Sequence, residues 1–189
     1  MNRRCPATIA ALLTAIATAS ASTALAAGGY AVQKFPPAER CHVTGSGLYV
    51  LPDRACTPGA INPAVTQTTI HQTICKAGWS AGVRPPESVT ETEKRAALSA
   101  YGNYDGRALH PYELDHLISL ELGGASNSAK NLWPEPNYPG VSDDSYYLNP
   151  KDHLEDKLNE LVCNGQLTLA AAQHAIATNW IAAYRRWVR

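Results

Sequence analysis

The chain has 189 residues, with 16 Lys plus Arg against 16 Asp plus Glu, and 45% of it is hydrophobic. That length suits one domain able to bury a real core. Near-neutral charge, with no polybasic tail or basic stripe, argues against a tight, passive nucleic-acid binder, which carries a basic footprint; it leaves room for an enzyme that touches a few phosphates briefly.

The chain begins with Asn2-Arg3-Arg4, then an apolar, Ala-rich run from Ile9 to Leu25 and the small-x-small site Ala24-Leu25-Ala26. This reads as a secretory signal peptide over 1–26, cleaved before Ala27 and too short for a membrane span. Cys5 precedes the apolar run, whereas a lipid-anchor Cys follows it. No later segment is long and apolar enough to cross a bilayer, so a secreted or periplasmic protein with no membrane span is expected. Losing Arg3 and Arg4 leaves 14 basic residues against 16 acidic ones. Four cysteines remain, Cys41, Cys56, Cys75 and Cys163. An even number in an exported chain reads as two disulfides, with three connectivities open. No Cys-x-x-Cys pair supports the rival metal-thiolate reading.

Residues 27–64 are rich in Gly, Pro and Ala, with turn signals at Pro36-Pro37, Pro52-Asp53 and Pro58-Gly59. They predict an irregular arm with one candidate strand at Leu48-Tyr49-Val50-Leu51. Residues 65–189 are expected to form the main domain. Thr66 to Cys75 reads as extended. Pro85-Pro86 forces an extended backbone, and Arg84 before it is a candidate phosphate contact through its rigid donor fork; a solvated Arg is the competing reading. Thr90 and Glu93 have the spacing of a capping box that opens a helix to about Tyr101, ended by Gly102. Lys94 and Arg95 on that helix read as solvated.

Tyr112-Glu113-Leu114-Asp115-His116-Leu117-Ile118-Ser119-Leu120-Glu121-Leu122 is an apolar strand that runs into the turn Gly123-Gly124. Asn131-Leu132-Trp133 returns after a polar loop, which predicts a hairpin. Neighbouring strand residues face opposite sides, so Asp115 and His116 part company on a regular ladder. An unperturbed His titrates near neutrality, which suits a general base; a buried, locally satisfied Asp-His pair is the plain alternative. A Pro-rich loop over 134–149 carries Asp143-Asp144 and two adjacent tyrosines, Tyr146 and Tyr147, read as loop anchors ahead of base-stacking platforms. Asn149 caps and Pro150 opens a helix whose buried stripe is Leu154, Leu158, Leu161 and Val162. Glu155 and Asn159 share another face of it, as do Asp152 and Asp156 nearby. Asn164-Gly165 closes this helix. Thr168 caps a last helix to about Trp187, with Leu169, Ala172, Ile176, Trp180 and Ala183 inward. Arg185, Arg186 and Arg189 complement its C-terminal dipole.

The order Leu-Asp-His-Leu-Ile-x-Leu-Glu-Leu-Gly-Gly, then Asn-Leu-Trp-Pro, then a helix with a carboxylate and an amide on one face, resembles the HNH (ββα-metal, His-Me finger) endonucleases. It is most similar to the small secreted bacterial proteins of that class, over about Ile74 to Trp180. The resemblance implies an α+β fold: a ββα-metal (HNH) core, an additional C-terminal helix and an irregular, disulfide-clipped N-terminal arm. It makes His116 the general base, Asn131 the residue that ties the hairpin together and fixes the base, and Asp115 the first metal ligand. The look-alikes read Lys-Asp-x-x-Glu-x-x-Leu-His on the helix, and this chain departs from them with Asn159 at the last position. Asn159 becomes the second ligand and Glu155 a third, or else Glu155 holds Lys151 or a water. Lys151 joins Arg84 as a candidate substrate contact. An all-oxygen set suits Mg²⁺ first, then Mn²⁺ or Ca²⁺. The resemblance also pairs Cys75 with Cys163; Cys41–Cys56 is favoured as a local clip. The implied function is a monomeric, secreted, metal-dependent endonuclease, acting on DNA ahead of RNA. Sequence preference is expected to be slight, as no helix looks built to read bases. A non-catalytic exported interaction module and a hydrolase of another polyanion are the competing readings.

Overall fold

The computed structural model describes residues 30–102, 112–138 and 149–189. The leader over 1–26 and Asp143, Asp144, Tyr146 and Tyr147 lie outside the described residues. In chain order, a hairpin of β1 (Thr44–Ser46) and β2 (Tyr49–Leu51) precedes the short helix α1 (Trp79–Gly82) and α2 (Glu87–Tyr101). A second antiparallel hairpin, β3 (Tyr112–His116) with β4 (Leu132–Pro136), is followed by α3 (Pro150–Cys163) and α4 (Leu169–Trp187). Helices and two small antiparallel sheets make the class α+β.

Residues 30–64 contribute several side chains to the core, with Phe35, Val43, Leu51 and Cys56 packed against it. Cys41 and Val50 are buried in it, and the Val50 carbonyl accepts a hydrogen bond from Trp180 Nε1 at 2.8 Å. Tyr49 stacks on the Trp180 ring at 6.0 Å. Cys41 is bonded to Cys56, and Cys75 to Cys163, the second tying the turn before α1 to the end of α3. Two disulfides fit an oxidising compartment. Among the described residues, no helix is long and apolar enough to cross a membrane.

Three local expectations are corrected. Thr66 to Cys75 is not extended: the Thr69 hydroxyl donates to the Ala64 carbonyl, the Thr66 N–H donates to that hydroxyl, and a 3₁₀ turn follows over Ile70–Gln72. Threonine hydroxyls give the backbone local partners that compete with a strand. The Thr90–Glu93 capping box does not form. The helix α2 starts at Glu87, after Pro86, and Glu93 turns inward to accept the Gln33 N–H at 2.7 Å. Lys94 is buried, while Arg95 stays outside beside Glu91. Gly102, at φ 73°, ends the helix by donating to the Leu98 and Ser99 carbonyls, a conformation that favours Gly.

On α3 the positions 151, 154, 158 and 162 recur at helical spacing and form the buried stripe, so Lys151 shares the face of Leu154, Leu158 and Val162. Leu169, Ala172, Ile176, Trp180 and Ala183 of α4 pack against the same core. The helix α4 is interrupted at Asn179 (φ −163°, ψ 88°), where a continuous helix was expected. The Asn179 carboxamide accepts the Ala182 N–H at 2.9 Å and so caps the second segment.

Candidate functional site: an acidic hairpin face around a buried lysine

One side chain, Asn131, bonds four backbone groups in and beside the loop between β3 and β4. Asn131 is fully buried. Its Oδ1 accepts from the Ile118 N–H at 3.0 Å and the Ala60 N–H at 3.3 Å, and its Nδ2 donates to the Ile118 and Ala125 carbonyls at 3.0 and 3.1 Å. After His116 the backbone leaves the strand and coils into a 3₁₀ turn, Leu120–Leu122, where the apolar run predicted further strand. Gly123 then takes φ 73°, and a Cβ on Gly124 would lie 1.8 Å from the Ile118 oxygen and 2.8 Å from Asn131 Nδ2. The Gly-Gly pair is therefore what lets the loop close over Asn131.

Strand alternation and register then sort the polar groups. Glu113 and Asp115 face one side of the hairpin, and the pairing of Glu113 with Glu135 and Asp115 with Trp133 brings Glu135 and Trp133 to that side. One carboxylate oxygen from each of Glu113, Asp115 and Glu135 lies within 4.8 Å of the other two. The neighbouring helix inserts Lys151 here. Lys151 Nζ donates to Asp115 Oδ2 at 2.7 Å, to the His116 carbonyl at 2.9 Å, and to Glu155. Trp133 Nε1 also donates to Asp115 Oδ2, at 2.8 Å.

Burial alone would raise the Asp115 carboxyl, but the Lys151 ammonium and the hydrogen bonds from Lys151 and Trp133 outweigh it and hold Asp115 below the ordinary range. Burial would lower Lys151, but Asp115, Glu155 and Glu135 together drive it well above the usual lysine value. One ammonium does not serve every acid. Burial raises Glu135 and Glu155 far above the carboxylate range, and raises Glu113 to about 8, with Asp115 adding to each.

His116 looks to the other face and is 7% exposed. Its Nε2 lies 3.0 Å from the Ser126 carbonyl. A carbonyl only accepts, so Nε2 carries the hydrogen, and the neutral ring keeps its lone pair on Nδ1. Burial lowers the imidazole to about 4, against the opposing pull of Ser126 and Asp115. Arg84 lies close enough for its charge to act on His116, Glu113 and Glu121.

Two expected roles are corrected. Asn159 does not join Asp115. Its amide donates to the Glu121 carbonyl at 2.7 Å and to the Ile74 carbonyl at 3.3 Å, and it lines a separate cleft with Trp79, Glu121 and the Cys75–Cys163 bridge. The 3₁₀ turn at Leu120–Leu122 brings a carbonyl within its reach, which the expected straight strand would not. Lys151 is not an outward substrate contact: it is 0% exposed and satisfies three acceptors inside. Glu155 and Asp115 share Lys151 as donor. The sequence reading missed Glu113 and Glu135. Period-two spacing from Asp115 points to Glu113, whereas Glu135 needs the hairpin register. Set against protein-family models, curated proteins and solved structures, the chain matches none.

Proposed function

We propose that this protein is an exported, metal-dependent hydrolase of nucleic-acid phosphodiesters built on an HNH-type ββα core, with β3, β4 and α3 as that core. The observation that carries the reading is the state of His116: its Nε2–H is committed to the Ser126 carbonyl, which leaves Nδ1 as a fixed, unprotonated acceptor at neutral pH. Asn131 keeps the loop that carries Ser126 in register through the Ala125 and Ile118 backbone. His116 Nδ1 takes the proton of the attacking water, and the Ser126 carbonyl and nearby Asp115 stabilise the imidazolium that results. Arg84, whose charge reaches both His116 and Glu113, holds a phosphate oxygen through its donor fork.

A divalent cation would neutralise charge on the scissile phosphate and leaving oxygen. Asp115 is the expected ligand that fits, because it stands among carboxylate oxygens, a donor type that hard cations take. The pairing of Asp115 with Asn159 does not fit. DNA as substrate rests on the family resemblance, low sequence specificity on the lack of a helix built to read bases, and the disulfides support export.

The test is plasmid cleavage by the oxidised protein with Mg²⁺, Mn²⁺, Ca²⁺ or EDTA, beside His116→Ala. Metal-dependent cutting that vanishes in the variant is expected. A folded wild type that cuts in none of these metals would refute the reading. The second reading is a non-catalytic exported module. It draws on the internal bonding of Lys151 with Asp115, which is how a structural ion pair behaves, and inactivity of the folded protein would favour it.

A further inference from the structure

We infer that the inner face of the β3–β4 hairpin is a binding site for one hard divalent cation, held by Glu113, Asp115 and Glu135 and not by the strand-to-helix pair of Asp115 with Asn159. What the ion would do in a reaction rests on the hydrolase reading; the site itself rests on the carboxylates.

Three observations carry it. First, the three donor oxygens lie within 4.8 Å of one another. Ligands of Ca²⁺ sit at about 2.3–2.6 Å, so oxygens on opposite sides of the ion are about 4.6–5.2 Å apart, and the cluster fits that sphere as it stands. Mg²⁺, at about 2.0–2.1 Å, needs a span no wider than about 4.2 Å. Secondly, Glu135 is 0% exposed and neither of its carboxylate oxygens has a hydrogen-bond partner among the described residues. A buried polar group is nearly always satisfied, so a fully buried acid aimed at two others leaves a place for a cation. Thirdly, the cation already present does not fill that place. Lys151 has three N–H donors, and they serve Asp115, Glu155 and the His116 carbonyl. Among the described residues, the hydrogen bonds to Asp115, from Lys151 and Trp133, fall on Oδ2. Oδ1 is thereby left for an ion, so Asp115 bridges the ammonium and the cation. Glu113 is half-buried and gives the site its approach from solvent. Water or a phosphate oxygen would complete the coordination.

The oxidised full chain is titrated with Ca²⁺ by calorimetry and with Mn²⁺ by electron paramagnetic resonance. The wild type is set beside Glu135→Gln, Glu113→Gln and Asn159→Ala, each checked for folding by circular dichroism. One ion per chain is expected, with Kd in the range of about 10⁻⁴–10⁻³ M or tighter. Affinity should fall at least about tenfold in either Gln variant and stay unchanged in Asn159→Ala. Should Glu135→Gln not fold, Glu113→Gln carries the test alone. Absence of binding by folded wild type, or unchanged binding in the folded Gln variants, would overturn the site. Binding lost in the Gln variants without any DNA cleavage by wild type would uphold the site and refute the hydrolase. Metal-dependent cleavage with binding untouched in the Gln variants would do the reverse.

Discussion

Replacing Asn131 by Ala isolates one physical effect, the loss of hydrogen bonds from a sealed place. Asn131 serves the Ile118 N–H, the Ile118 carbonyl, the Ala60 N–H and the Ala125 carbonyl. Ile118 is 4% exposed, so its two backbone groups cannot turn to water, whereas Ala60 and Ala125 are half-buried and partly recover. A stranded buried donor or acceptor costs about 1–3 kcal/mol. Two such groups, with a smaller contribution from the half-buried pair, predict a loss of about 4 kcal/mol. Domains of this kind have about 5–15 kcal/mol in hand, so the variant should fold but with little margin. The assay is urea unfolding of the oxidised protein, analysed for midpoint and slope. Asn62→Ala serves as control: among the described residues its carboxamide accepts only the Ala64 N–H, in an exposed turn, so it should cost less than about 1 kcal/mol. If Asn131→Ala lost less than about 1 kcal/mol at an unchanged slope, the loop would not be held by this side chain.

Three further outcomes are expected. Lys151→Met should cost about 3–5 kcal/mol at pH 7.5, because it strands the Asp115 carboxylate in the core; the loss should shrink toward pH 4 as the unpaired Asp115 takes a proton, and a pH-independent loss in chemical denaturation would contradict this. Opening Cys75–Cys163 by paired Ala substitution should cost about 4–5 kcal/mol, against about 3 kcal/mol for Cys41–Cys56, because the chain-entropy penalty grows with a sequence separation of 88 over one of 15; equal losses in the melting temperatures would argue against the entropic account. His116 is lowered from 6.5 to about 4 in the folded protein. A depressed value means that its contribution is fully present above about pH 6.5 and is lost as pH falls through 4, about 3 kcal/mol in all. Stability curves from pH 7 to 4 should therefore converge for wild type and His116→Asn, and curves that stay parallel would show that His116 is not held neutral by burial.

Much of this chain was legible without coordinates. The hairpin follows from apolar runs on either side of a polar loop, and Asn149-Pro150, Gly102 and Thr168 mark helix ends because their preferences are local. The apolar stripes of α3 and α4 follow from helical period alone. Even the burial of Lys151 was written in the spacing 151, 154, 158 and 162, although the family resemblance made it a substrate contact. Other features needed the tertiary structure. The Thr-rich segment coils because its hydroxyls find nearby carbonyls, and Glu93 leaves a capping box because Gln33, sixty residues earlier, offers it an N–H. Asn159 was expected beside Asp115, but a 3₁₀ turn presents it with the Glu121 carbonyl instead. Glu135 joins the acidic cluster only through the pairing of two strands separated by a loop. Sequence by itself determined where the second hairpin and the longer helices lie and which of their faces are apolar, since those depend on spacing within a segment. Tertiary structure decided which carboxylates meet, which cation meets them, and which imidazole nitrogen stays free, since each depends on distances between residues far apart in the chain.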